Sequence, residues 1–211
     1  AESWLPQIAR ALSRHGVTLA NLAPAATAPV VMAEALSQAV AGNLPPVTAL
    51  AAPEITAQRE GLSIGDPNAP VSIIEYGDYQ CPYCAISNGE FFQPLLNEYI
   101  NAGQVKFTYV PMSFLGDESK EAVEAALCAN DQGKFWEYHD LLFTNQGNGS
   151  FSLERLRGFA QALYLDGEAF NACLSSAKYR DQVRQDLADG LQAGVRGTPS
   201  FLINGKLVAG A

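Results

Sequence analysis

Apolar residues in the second part of the chain follow two periods, and segments of the two kinds alternate. Short segments that are fully apolar or have a period of two predict β-strands, and longer stretches with a period of about 3.6 predict helices. The predicted strands are Val71–Tyr76, Val105–Val110, Ser200–Ile203 and Lys206–Ala209, the last two joined by a turn at Asn204-Gly205. The predicted helices are one that begins at Cys81 and runs through Tyr99, then Ser119–Asn130, Lys134–Asn145, Leu153–Leu163, Gly167–Ser175 and Tyr179–Gly194. This order of strands and helices predicts an α/β core interrupted by an all-helical insert over about residues 115–195.

The first part of the chain, residues 1–60, differs because it is rich in alanine and proline. Short helices are expected at Ser3–His15 and Val30–Val40, followed by a Pro/Ala linker. We therefore divide the chain into an N-terminal extension, 1–60, and a folded domain, 61–211. We expect the extension to be a stalk or a docking segment with little chemistry of its own. Its start lacks the basic residues and long apolar core of a signal sequence, so we expect a mature, truncated or originally soluble chain.

Charge and cysteine count exclude several classes of function. The formal net charge of −9 argues against nucleic acid or an anionic membrane surface as a partner. No segment is apolar for long enough to span a bilayer. Of the four cysteines, Cys128 and Cys173 are separated by 45 positions, with no second CxxC motif and no histidine pair nearby. A zinc site is therefore a poor fit, and we expect neither a metal nor an organic cofactor.

The other two cysteines form the motif Cys81-Pro82-Tyr83-Cys84, placed where a predicted strand leads into a predicted helix. Free backbone N–H groups and the positive end of the helix dipole lower the pKa of a thiol at such a position. We expect Cys81 to be the exposed, attacking thiol and Cys84, one turn further, to resolve the mixed disulfide. Pro82 suits the first helical turn because it has no N–H to leave unpaired. A structural disulfide or half of a metal site is the alternative, but closing so short a loop stabilises little.

Glu75 is a candidate proton carrier, since it lies six residues before Cys81 within an otherwise apolar strand. A carboxyl there is expected to point into the core beneath the dithiol. Buried in this way, it could carry the proton of Cys84. The alternative is an acid at the end of a strand that reaches solvent.

Thr198 and Pro199 directly precede the predicted strand that begins at Ser200. A cis proline there would leave the backbone of Thr198 free to pair with an extended substrate segment. The alternative is an ordinary trans proline at the start of a strand. The sequence alone leaves both isomers open.

Four segments together resemble the DsbA-like thiol–disulfide oxidoreductases of the thioredoxin superfamily. They are Gly65-Asp66-Pro67-Asn68-Ala69-Pro70-Val71, Glu75-Tyr76-Gly77-Asp78-Tyr79-Gln80-Cys81-Pro82-Tyr83-Cys84, Gly133-Lys134-Phe135-Trp136-Glu137-Tyr138-His139-Asp140 and Val195-Arg196-Gly197-Thr198-Pro199-Ser200-Phe201. The CPYC motif alone would also suit a glutaredoxin. The discriminating feature is the 115 positions from Cys84 to Pro199, which leave room for the helical insert that marks DsbA-like proteins.

The resemblance implies a thioredoxin fold, a nucleophilic Cys81, a resolving Cys84, a cis Pro199 and a role for Glu75 in proton transfer. It also implies substrate contacts at Pro82, Tyr83, Thr198 and Pro199. In the most oxidising members the dipeptide between the cysteines is Pro-His, so Pro-Tyr leaves the redox poise open. Members usually continue into a C-terminal helix, which we expect to be absent from this chain because it ends at Gly210-Ala211.

Cys128 and Cys173 both fall on predicted helices of the insert, Cys128 on an apolar face. Some DsbA-like proteins are similar in carrying a second, structural disulfide there, which would favour an oxidising compartment. The alternative is two buried free thiols, which are common in protein cores. His139 is interpreted as a partly buried histidine with its hydrogen bonds satisfied rather than as a catalytic group.

Taken together, these features predict an extracytoplasmic enzyme that introduces disulfides into exported proteins by exchange at Cys81–Cys84. The expected partners are unfolded or reduced exported proteins and, by resemblance, a membrane quinone-linked reoxidase of the DsbB or vitamin K epoxide reductase type. A disulfide reductase or isomerase using the same dithiol is one alternative. A peptide-binding module of the chaperone kind, in which the dithiol is incidental, is an alternative of another class.

Overall fold

The computed structural model describes residues 10, 12–14, 59–147 and 149–209. The predicted helix Val30–Val40 and most of Ser3–His15 lie outside these residues. Of the described part of the extension, residues 10, 12 and 13 are helical. Leu12 is fully buried in the main hydrophobic core, so this part of the extension packs against the folded domain.

A mixed β-sheet forms the centre of the described chain. Its strands are β1 (Arg59–Glu60), β2 (Ser63–Ile64), β3 (Val71–Gly77), β4 (Val105–Pro111), β5 (Ser200–Ile203) and β6 (Lys206–Ala209), in the order β1-β2-β4-β3-β5-β6. β3 and β4 are parallel, and the other neighbours are antiparallel. The four predicted strands are present. β1 and β2 were not predicted, because two residues are too few to display a period.

A single helical run connects β3 to β4, as a parallel pair requires. It consists of α1 (Pro82–Ser87), a π-helical turn (Asn88–Phe92), α2 (Gln93–Leu95) and a second π-helical turn (Leu96–Ile100). Pro94 has no N–H to donate within the helix, and π-helical turns flank its short segment on both sides. The run buries Phe91, Leu95 and Leu96 in the core beside the sheet. The packing of this helical run against the sheet therefore fixes the position of Cys81, which lies at the start of the run.

The helical insert lies between β4 and β5. Its helices are α3 (Asp117–Asn130), α4 (Phe135–Thr144), α5 (Leu153–Ala162), α6 (Gly167–Ser175) and α7 (Arg180–Gln192). Their ends differ from the predicted ones by at most two residues, as expected for fraying termini. Aromatic rings connect the insert to the sheet and to the helix beside it. Trp136 of α4 stacks on Phe92 with 5.2 Å between ring centroids, and Phe92 packs against Phe107 of β4 with 4.7 Å between ring centroids. The insert and the sheet thus share one core.

Candidate active site

The dithiol lies at the junction between the end of β3 and the start of α1. Cys81 is the N-cap residue of α1, with an extended backbone, and Pro82 follows at the first helical position. The Cys81 N–H donates to the Asp78 carbonyl at 3.0 Å, and its own carbonyl accepts from the N–H groups of Cys84 and Ala85 at 3.0 and 3.2 Å. Among the described residues, no side chain caps α1. The N–H groups of its first turn are therefore available to the Cys81 sulfur.

The two cysteines carry free thiols and differ in accessibility. Cys84 is fully buried, whereas 6% of the Cys81 surface is exposed. The expectation of an exposed Cys81 was therefore too strong. The reason is the segment before β5, whose Thr198 carbonyl lies 3.2 Å from the Cys81 sulfur and accepts a hydrogen bond from its thiol.

The surroundings of Cys81 favour the thiolate and lower its pKa to about 6. The largest cause is a hydrogen bond from the Cys84 side chain, and partial burial opposes it. The side chain of Thr198 and the backbone N–H groups of Cys84 and Tyr83 lower the pKa further. Cys81 is therefore mainly a thiolate at neutral pH, the form that attacks disulfides.

Cys84 has the opposite tendency, because its pKa is raised well above the ordinary value. Burial is the main cause, and the hydrogen bond to Cys81 and the negative charge of Glu75 act in the same direction. The Asp78 N–H, 3.4 Å from the Cys84 sulfur, opposes the shift. Cys84 therefore remains a protonated thiol beneath a neighbouring thiolate.

Glu75 lies in the centre of β3, between Tyr109 of β4 and Phe201 of β5, and only 3% of it is exposed. Burial raises the pKa of its carboxyl to about 8, opposed by the Ser87 side chain and reinforced by the charge of Cys81. The carboxyl is thus mostly protonated at pH 7. The alternative of an acid that reaches solvent does not match this burial.

The other predicted site residues border Cys81. The Thr198–Pro199 peptide bond is cis, and Pro199 directly precedes β5. Pro82 and Tyr83 lie on the outer surface of the first turn of α1, where 52% of Tyr83 is exposed. The structure therefore brings Cys81 and Thr198 into contact and leaves the two residues between the cysteines accessible.

Asp78 is a buried carboxylate beside the dithiol that the sequence analysis missed. Its side chain accepts hydrogen bonds from the Gln80 N–H at 2.8 Å, the Ser119 hydroxyl at 2.7 Å and the Leu115 N–H at 3.0 Å. It directly follows β3, where an aspartate commonly marks the end of a strand. Its place three residues before Cys81 could have identified it, because an acid buried at that point needs hydrogen-bond partners from elsewhere in the chain.

His139 is buried inside a group of aromatic rings. Its Nδ1 lies 3.2 Å from the Tyr79 hydroxyl, and its Nε2 lies 3.3 Å from Oδ1 of Asn88. Burial lowers the pKa of His139 to about 3, so the ring is neutral at physiological pH. It is more deeply buried than expected and holds Tyr79, two residues before Cys81, against α4.

Two further features of the described residues bear on the class of site. Those residues contain no group of three or more histidine, cysteine or acidic side chains that could hold a metal ion. Within the same residues, none of the helices is long and apolar enough to cross a membrane.

Comparison with known proteins gives a consistent family. A family model described as thioredoxin matches residues 57–211. Over 161 residues the chain is 29% identical to a probable disulfide bond formation protein D of Bacillus anthracis, covering 73% of this chain and 74% of that protein. The crystal structure of oxidised BdbD from Bacillus subtilis superposes with a TM-score of 0.65 at 27% identity, covering 70% of this chain and 83% of that one.

A different kind of relative is an Na⁺/H⁺ antiporter, NhaA 1 of Salinispora arenicola. The chain is 35% identical to it over 142 residues, which are 67% of this chain but 21% of the antiporter. The chain thus spans about a fifth of the length of this relative.

Proposed function

This chain belongs to the thioredoxin family, and we propose that it is a thiol–disulfide oxidoreductase that introduces disulfides into exported proteins. The observation that carries the proposal is the asymmetry of two neighbouring sulfurs. The Cys81 pKa is lowered to about 6 while that of Cys84 is raised. A stabilised Cys81 thiolate favours the reduced form of the pair, and this makes the oxidised form an acceptor of electrons.

In the oxidising direction, a substrate thiolate attacks the Cys81 sulfur of the Cys81–Cys84 disulfide. The bond between the two enzyme sulfurs breaks, a mixed disulfide forms, and Cys84 leaves as a thiolate that takes up a proton. A second substrate thiolate then attacks the substrate sulfur of the mixed disulfide and releases Cys81 as a thiolate. Two electrons pass from the substrate dithiol to the enzyme, and the substrate gains one disulfide.

Glu75 is proposed to supply the proton that Cys84 takes up. Its pKa of about 8 keeps it protonated at neutral pH, and the coupling between its ionised form and Cys84 places the two groups close together. Thr198 and Pro199, together with Pro82 and Tyr83, are proposed to contact the substrate around Cys81. The Thr198 carbonyl, 3.2 Å from the Cys81 sulfur, supports this assignment because a segment joined to Cys81 must pass beside it.

The partners and location follow as part of the same proposal. The substrates are unfolded or reduced exported proteins, and a membrane quinone-linked reoxidase of the DsbB or vitamin K epoxide reductase type would remove the electrons. An extracytoplasmic location is supported by the disulfide between Cys128 and Cys173, because such cross-links persist in oxidising compartments. No role is proposed for residues 1–60 beyond that of an extension.

The equilibrium redox potential of Cys81–Cys84 against glutathione tests the direction of electron flow. An oxidase is expected to have a potential above that of a glutaredoxin, which is about −200 to −230 mV. A potential near the thioredoxin value of about −270 mV would instead favour the reductase. The measurement is made on the purified chain by separating reduced and oxidised forms after alkylation.

Replacement of Cys81 by serine separates catalysis from peptide binding. C81S is expected to lose oxidation of a reduced, unfolded substrate, because serine has no comparable nucleophile at neutral pH. C128S/C173S serves as a control that removes the same type of atom elsewhere. If C81S retained full activity in the folding assay, the peptide-binding module would be the better description.

A further inference from the structure

The residues that lead into the dithiol, 78–81, form several hydrogen bonds with the helical insert. The Asp78 carboxylate bonds to Leu115 and Ser119, and the Gln80 side chain donates to Glu118 at 3.1 Å. Leu115 lies in the segment before α3, and Glu118 and Ser119 lie in α3 itself. The insert therefore does more than enlarge the domain, since it helps to hold this turn in place.

Gln146 connects the insert to the backbone of the nucleophile itself. Its side-chain Nε2 donates to the Tyr79 carbonyl at 2.7 Å and to the Cys81 carbonyl at 3.0 Å. Gln146 lies two residues after the end of α4, and its own N–H donates to the Phe143 carbonyl at 3.1 Å. One amide group, itself fixed to the insert, thus holds two carbonyls on either side of Gln80.

The Cys81 carbonyl is also the acceptor of the first hydrogen bonds of α1, from Cys84 and Ala85. Its orientation therefore sets the direction in which the first turn of that helix points. The same turn presents the N–H groups of Tyr83 and Cys84 to the Cys81 sulfur, where they favour the thiolate. A donor that fixes this carbonyl consequently fixes the aim of those N–H groups.

We propose that Gln146 is a positioning residue for the dithiol, holding the turn before α1 so that the N–H groups of the first helical turn face the Cys81 sulfur. The two hydrogen bonds of the Gln146 side chain go to backbone carbonyls and not to a sulfur, so Gln146 acts through the backbone of Cys81. The inference rests on the proposed function only in taking Cys81 as the reacting sulfur. It concerns the ionisation of Cys81 in the purified protein, which can be measured without substrate or redox partner.

The test compares two glutamines that make the same number of bonds to backbone. Gln132 donates to the Asp166 carbonyl at 3.2 Å and accepts from the Asp166 N–H at 2.8 Å, joining two parts of the insert that do not include the dithiol. Q146M and Q132M remove these hydrogen bonds at nearly constant volume. The thiolate absorbance of the reduced proteins at 240 nm is titrated between about pH 4 and pH 9, a range that brackets the lowered pKa.

We expect Q146M to raise the pKa of Cys81 by about 0.5, a roughly threefold fall in the thiolate-to-thiol ratio at a given pH. Q132M should leave the pKa of Cys81 unchanged, while it lowers the thermal stability of the protein by about as much as Q146M does. Equal pKa values in wild type and in a folded Q146M would overturn the proposal and leave Gln146 with a structural role.

A second variant, Q146K, covers the case in which Q146M does not fold. Lysine keeps a donor for the two carbonyls and adds a positive charge, so the pKa of Cys81 is expected at or below the wild-type value. A clear rise of the pKa in Q146K would contradict the proposal. A measured potential that excludes an oxidase would refute the proposed function but leave this pKa comparison intact.

Discussion

The two cysteine pairs of this protein lie on helices, yet at different places along them. Cys81 is the N-cap of α1, where no side chain among the described residues occupies the free N–H groups. Cys173 lies inside α6, whose N-cap Asp166 accepts from the N–H groups of Glu168 and Ala169 at 2.9 and 3.0 Å. One helix start therefore offers its N–H groups to a sulfur, and the other offers them to a carboxylate.

The pairs also differ in what they connect. Cys128 of α3 and Cys173 of α6 form a disulfide across 45 positions of the chain, with Cα atoms 5.9 Å apart. Cys81 and Cys84 are separated by two residues of one helix and are free thiols. A long loop gains stability from closure, whereas a short one gains little. Sequence separation and position along the helix together therefore distinguish the structural cross-link from the reactive pair.

The largest effect is expected from removing the cross-link. C128A/C173A should lower the free energy of unfolding by roughly 3–4 kcal/mol, because the unfolded chain regains the entropy of an open loop of about 45 residues. Urea unfolding followed by circular dichroism measures this, with the Cys81–Cys84 pair kept oxidised in all samples. The Cys81 pKa, measured on the reduced proteins, should not change.

The matched control is C81A/C84A, which removes the other pair and should cost much less stability. Two outcomes would break the comparison. The cross-link would not be a structural element if C128A/C173A unfolded at the same urea concentration as the parent. The pairs would not be independent if the variant shifted the Cys81 pKa.

The next largest expected effect is on the pH dependence of stability. Of the two cysteine pairs, only Cys81 and Cys84 can contribute to it, because the sulfurs of a disulfide do not titrate. The folded pKa of Cys81, about 6, lies below its ordinary value of 9. Between these values the unfolded chain binds a proton that the folded chain does not, so stability of the reduced protein rises with pH and is lost as pH falls through 6. Allowing for solvent screening close to the protein surface, we expect this contribution to be about 2 kcal/mol.

Comparison of reduced with oxidised protein isolates this contribution. Glu75 has the opposite slope, since its pKa is raised from 4.5 to about 8 and stability therefore falls with rising pH in that range. The largest cause of the Glu75 shift, burial, is common to both redox forms, so most of that slope cancels in their difference. Urea midpoints of the two forms at pH 6 and pH 9 are the measurement. Parallel pH profiles would contradict a lowered Cys81 pKa.

Much of this arrangement could be predicted from local patterns. The strand Val71–Gly77 and the helix at Cys81 follow from apolar periodicity and from Pro82, and the long interval to Pro199 required an insert. These features depend on neighbouring residues or on simple spacing. The resemblance to DsbA-like proteins then correctly predicted the fold.

What could not be predicted depends on contacts between distant segments. Gln146 is separated from Cys81 by 65 positions, and Asp78 from Leu115 by 37, so no local pattern connects them. The low exposure of Cys81 has the same origin, because Thr198, 117 positions away, covers its sulfur. Polar contacts of this kind depend on how the insert packs, which periodicity does not encode.

Replacement of Glu75 by glutamine tests whether the reactive pair also differs in its access to protons. Glutamine resembles the protonated carboxyl in shape but cannot give up a proton to Cys84. We expect E75Q to slow reduction of the Cys81–Cys84 disulfide by a substrate dithiol about tenfold at pH 7 in single-turnover experiments.

The difference between wild type and E75Q should vanish above about pH 8, where the Glu75 carboxyl itself has lost its proton. The Cys81 pKa should change little, because Glu75 is protonated and neutral near pH 6, where Cys81 titrates. Rates that are equal at pH 7 would exclude proton transfer by Glu75.

The smallest expected effect concerns the helix starts themselves. D166A should destabilise the protein by about 1 kcal/mol, because two N–H groups at the start of α6 lose their acceptor, whereas D166N should retain most of the stability. Neither variant should alter the Cys81 pKa. A stability change in D166A equal to that in D166N would mean that the carboxylate is not acting as a cap. The N–H groups that stabilise α6 through Asp166 have their counterparts in α1, where the acceptor is a thiolate and the same electrostatic stabilisation is expressed as reactivity.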